Sequence, residues 1–187
     1  MITTRHCVLA IGVLCPFVSP ALAQDSIPSA LVTNEGERAV AKHRLTIDNV
    51  RKVFAVDREL LELMKRDPGV TARTAELAAQ IDPDDLADRV TVETKIVEET
   101  PEIAQILERQ GIGAREYALT RTVAIGAEMS DEALRSGALR GKENAEIAKF
   151  VARSQPVQFW RGMSPGLKGE AAAWKNVREE MTQRRGQ

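Results

Sequence analysis

The sequence predicts an all-α fold: a single-domain bundle of about five to six helices behind a cleaved signal peptide. Three observations carry this. Apolar residues recur at helical spacing through several long segments. Pro, Asp, Thr and Gly stand where helices would start and stop rather than inside them. No stretch alternates apolar and polar residues for long enough to make a strand. The 187 residues, 43% of them hydrophobic, suffice for one compact domain with a sizeable core.

The chain opens with Arg5, an apolar run from Cys7 to Val18, and Ser19-Pro20-Ala21-Leu22-Ala23. That order is the grammar of a secretory signal cut after Ala23, in a run too short to span a bilayer. Export to the periplasm or the medium is therefore expected. Both cysteines, Cys7 and Cys15, leave with the signal, and a chain without thiols makes neither a disulfide framework nor a cysteine zinc site. Residues 24–44 read as a poorly ordered lead or a short first helix, and residues 45–187 as the helical domain.

Within that domain Thr46 can cap a helix that runs to Arg66, where Asp67-Pro68-Gly69 stops it. Its apolar stripe includes Val50, Val53, Phe54, Leu60, Leu61 and Met64. A short Ala-rich helix over 72–80 follows. Asp82-Pro83 starts another that reaches Glu99, and Thr100-Pro101-Glu102 repeats the same signal before Gly111. From Ala114 to about Arg135 small and apolar residues cover the whole circumference, the pattern of a central helix, and Gly126 at its middle suggests a close crossing. A helix over 142–153, a structured loop over 155–169 and a last helix over 170–184 complete the chain.

Charge and composition exclude several functions. With 26 Lys and Arg against 27 Asp and Glu, no excess of cations recommends nucleic acid or an anionic membrane as a partner. No second apolar run is long enough to span a membrane. His43, the only histidine beyond the signal, reads as an exposed residue at a helix start. No metal or cofactor is expected: one His and no Cys make a poor zinc set, and Cys-x-x-Cys-His for haem is absent. The Asp82 to Glu93 run lacks the turn glycine of a calcium loop, and Gly111-Ile112-Gly113 lacks the strand of a dinucleotide site.

Two places remain for function. Asp57 falls at the centre of the first long apolar stripe, where a carboxylate must be paired, hydrogen-bonded or protonated. One reading makes it the acid of a ligand pocket with Arg121 as counter-ion and Tyr117 beside it; the other makes it structural. The second place is the aromatic segment Phe159, Trp160, Arg161 and Met163, which either docks a partner or plugs one end of the bundle.

Gln110-Gly111-Ile112-Gly113-Ala114-Arg115-Glu116-Tyr117-Ala118-Leu119, with Leu45-Thr46-Ile47-Asp48 and Glu143-Asn144-Ala145, resembles a group of exported bacterial all-helical proteins of uncharacterised function. The resemblance covers most of residues 45–153. It implies export and helices, and no catalytic residue. The leading expectation is an exported helical protein that binds another protein or a small apolar ligand. The alternatives are a hydrolase-like or lyase-like enzyme using Asp57, and a structural homodimer that buries Phe159 and Trp160.

Overall fold

The computed structural model describes residues 35–80, 86–139 and 144–186, and over these the chain is all-helical, with no strand. The segment expected to be a signal, both cysteines and Asp82 to Asp85 lie outside the described residues. Among the described residues nine helices stand where five to six were expected: α1 Glu35–Lys42, α2 Ile47–Arg66, α3 Pro68–Ala78, α4 Leu86–Glu98, α5 Pro101–Gln110, α6 Ala114–Ser136, α7 Ala145–Arg153, α8 Gln155–Gly162 and α9 Pro165–Arg185.

Three prolines read from the sequence as a stop or as loop residues, Pro68, Pro156 and Pro165, instead lie at helix starts. Asp67 closes α2 and caps α3, accepting from the amides of Gly69 and Val70, so Pro68 is the first residue of a helix rather than a stop. The 155–169 segment, expected as a loop, is likewise helical: Pro156 lies in the first turn of α8 and Pro165 opens α9. The Ser164 hydroxyl accepts from the Leu167 amide, which starts α9 five residues earlier than its apolar pattern suggests. Thr46 and Asn49 exchange bonds as a capping box on α2. Gly111 ends α5 with a left-handed φ of 61°, a conformation that side chains with a Cβ resist.

One hydrophobic core joins residues of α1, α2, α4, α5, α6 and α9 with Trp160 of α8. The middle is α6, which packs on α1, α2, α4, α5, α7 and α8. Its buried residues, including Tyr117, Leu119, Val123, Gly126 and Ala127, lie on all sides, as its lack of a polar face predicts. Against α2 pack α3, α5, α6 and α9. No helix among the described residues is long and apolar enough to cross a membrane.

The described end of the expected lead is the helix α1, whose Val40 and Ala41 are buried. Beyond it, His43 is not exposed as its place in the sequence suggested: its side chain is 10% exposed, and its Nε2 lies 2.9 Å from the Thr120 hydroxyl of α6. Packing of α1 on α4 and α6 carries the ring inward. Burial lowers the His43 pKa from its ordinary 6.5, and Glu116 at 4.0 Å opposes that shift.

Two outcomes follow from these local structures. Thr46→Ala loses the capping box and about 1 kcal/mol of stability, whereas Thr100→Val, which removes a buried hydroxyl with no hydrogen-bond partner, leaves stability unchanged or raises it; urea midpoints check both. Because the folded state disfavours the charged imidazole, the unfolded chain binds more protons below pH 6.5. The His43 contribution is therefore complete above that pH and declines as pH falls through it. Thermal melts between pH 5 and 8 should show this decline, and His43→Gln should flatten it.

Candidate functional site

The three residues singled out around Asp57 meet in the centre of the molecule. Asp57, on the inner face of α2, is 0% exposed. Tyr117 and Arg121 are one turn apart on α6 and so project from the same face. The Tyr117 hydroxyl donates to Asp57 Oδ1, and Arg121 Nε donates to Oδ2 at 3.0 Å. A third donor, the Trp174 indole of α9, reaches Oδ2 at 2.7 Å. Arg121 continues through Nη1 to Glu93 Oε1 of α4 at 2.6 Å. A single carboxylate thus ties α2 to α6 and α9, and its counter-ion ties α6 to α4.

Glu93 and Trp174 were not singled out from the sequence. Glu93 entered only as the end of the Asp82 to Glu93 run that fails as a calcium loop, and Trp174 falls in the last helix, where no site was sought. A usable signal existed in Trp174, because an indole in a buried stripe needs an acceptor for its N–H.

The electrostatics follow from burial. Desolvation opposes the Arg121 charge, but Asp57 and Glu93 outweigh it and hold the guanidinium pKa well above its ordinary value. Burial, reinforced by the Asp57 charge, pushes the Tyr117 hydroxyl well above its usual range, so it remains a donor. Arg185 at the end of α9 closes the cluster, and burial pulls its pKa down. Between Glu93, Tyr117, Arg121 and Arg185 lies a cavity of about 20 Å³, enough for one water molecule and too small for an organic ligand. No set of three or more His, Cys, Asp or Glu among the described residues could hold a metal ion.

The aromatic segment is placed differently from expectation. Phe159, Trp160 and Arg161 belong to α8 rather than to a loop, and Met163 links α8 to α9. Phe159 is half-buried against the core, and Trp160 is 8% exposed with its ring centroid 6.4 Å from that of Trp174. Trp160, Arg161 and Met163 line an open groove of about 880 Å³ whose long walls are the C-terminal half of α6 and the middle of α9.

Ile125, Met129 and Ala133 form an apolar strip on the α6 wall, and Met129 is 47% exposed. Arg178 crosses the base of the groove. Its guanidinium lies 4.1 Å from the centre of the Trp174 ring and bonds Glu128 of α6. Burial lowers its pKa, although Glu128 opposes the shift, and its Nε is buried without an acceptor among the described residues. Trp174 therefore touches the Asp57 cluster with its N–H and the groove's Arg178 with its ring face. Comparison with protein-family models, curated proteins and solved structures finds no match to the chain.

Substitutions rank the interactions around Asp57. Asp57→Asn should cost about 3–5 kcal/mol, because it leaves a buried guanidinium short of its partner. Tyr117→Phe keeps the other two donors and should cost about 1–3 kcal/mol. Urea denaturation checks the order; equal losses would mean that Tyr117 carries as much of the cluster as the charge does.

Proposed function

We propose that this chain is an exported protein, cleaved after Ala23, whose single-domain helical bundle binds a partner protein or an apolar ligand in the groove between α6 and α9. It is assigned, on the resemblance described above, to the exported bacterial all-helical proteins. The observation that carries the binding reading is the groove itself: about 880 Å³, open to solvent, with Met129 about half exposed on one wall and Trp160 among its lining residues. Exposed apolar surface inside a concave site is uncommon without a function.

The Asp57 cluster supports the same reading from the other side. A catalytic acid or base must come within hydrogen-bond reach of the proton it moves. Asp57 is enclosed, three donors occupy its oxygens, and the adjoining cavity takes one water. Its service is to hold the walls of the groove in place through Trp174.

The test uses the full chain expressed in a bacterial host. The expected product is found outside the cytoplasm with its mass short by residues 1–23; retention of the whole chain inside the cell would remove the export reading. A photo-reactive amino acid at position 129 should give a discrete adduct on irradiation in cells. The same residue at position 104, on the exposed surface of α5, should not. Equal labelling at both positions, or none at either, would refute binding in the groove.

A further inference from the structure

We propose that the occupant of the groove is an amphipathic α-helix of another protein, about three turns long, with acidic residues along the flank that meets α9. This inference rests on the groove being the binding face, and it goes further by assigning the partner's secondary structure and charge.

The shape of the walls points to a helix. Both are helix faces, and the α6 wall runs from Ile125 to Ser136, about 16 Å at 1.5 Å per residue. Its apolar strip, Ile125, Met129 and Ala133, repeats every four residues, the row that ridges of a packed helix fit. Ala172 on the opposite wall is small enough to let a backbone approach. A helix of this length and about 10 Å across occupies roughly 1,250 Å³, the same order as the open groove's volume of about 880 Å³. The site is thus a bundle position flanked by two helices and filled by neither, the arrangement used in helix-in-groove recognition.

Charge then selects the partner. The acids of the α6 wall already have counter-ions: Glu128 pairs with Arg178 of α9, Asp131 with Arg161 of α8 at 2.6 Å and with Arg135 of α6 at 3.0 Å, and Glu132 with Arg135 at 3.1 Å. The α9 wall presents Lys168 and Lys175, both exposed and without an ion pair among the described residues, with Glu179 one turn beyond. Lys168 and Lys175 are seven residues apart and share a face. A helix seated beside them gains most from Asp or Glu at two positions seven residues apart, and repels a partner with Lys or Arg there.

The experiment is a selection on the full exported chain from a display library of fifteen-residue, helix-favouring peptides with all positions varied. The expected winners carry apolar residues at i, i+4 and i+7 or i+8, and two acids seven residues apart. Met129→Lys should abolish their binding. Lys168→Glu with Lys175→Glu should weaken it about tenfold or more, and peptides with those acids changed to Lys should regain affinity for that double variant. Lys149→Glu, on the remote surface of α7, is the charge control, and circular dichroism melts verify that each variant folds.

Peptides that need Met129 but show no acidic preference would overturn this inference while leaving the groove as the binding face. Failure to select any peptide, or binding indifferent to Met129→Lys, would overturn both. Sedimentation that finds a dimer dissociated by Met129→Lys would also overturn the inference, since a second copy would then be the occupant.

Discussion

The fold depends on one buried carboxylate. Asp57 sits where α2, α6 and α9 converge and accepts from Tyr117, Arg121 and Trp174. Enclosing an ion in protein is costly, and the attraction of a counter-ion repays that cost only when the remaining lone pairs are also satisfied. Here they are met from two helices other than its own. The position of α9 relative to α6 is therefore a condition of burying Asp57, and Arg121 extends the same condition to α4 through Glu93. An apolar residue at 57 would pack against the same neighbours without fixing their register.

Trp174 carries that constraint outward. Its N–H is committed to Asp57, its ring lies 4.7 Å from Phe54, and Arg178 covers the ring before bonding Glu128 on α6. The base of the groove is thus attached to the most restrained part of the molecule, while its rim consists of exposed Lys168, Lys175 and Met129. A rigid base with an adaptable rim fits the binding role proposed for the groove, since little order would have to be imposed on the site by a partner. By the same logic the buried polar cluster supports the site and need not take part in its chemistry.

Much of the helical content is written in local chemistry. Thr46 before an apolar period, Gly111 after one, and the all-round apolar surface of α6 each act within a few residues and need no tertiary partner to be read. Proline was harder to read. Pro68, Pro156 and Pro165 occur beside Gly or polar residues, and the same letters suit a loop and a helix's first turn. Which one forms depends on whether the following residues bury a face, and Val157, Trp160 and Leu167 do so once the bundle is assembled. His43 was misplaced for a related reason, because nothing near it in sequence shows that Thr120 will cover it.

What the sequence determined by itself is therefore the helical class, most helix limits, the absence of cysteine after Cys15, and the need for Asp57 to find partners. Periodicity and capping are local, and a carboxylate in the middle of an apolar stripe requires neutralisation whatever the fold. Only the tertiary structure decided that Tyr117, Arg121 and Trp174 together meet that need, that Glu93 joins them, and that the aromatic segment forms a helix beside an open groove. These facts join residues up to 117 positions apart, and the packing angles that bring such residues within 3 Å are set by the whole core at once rather than by any segment of it.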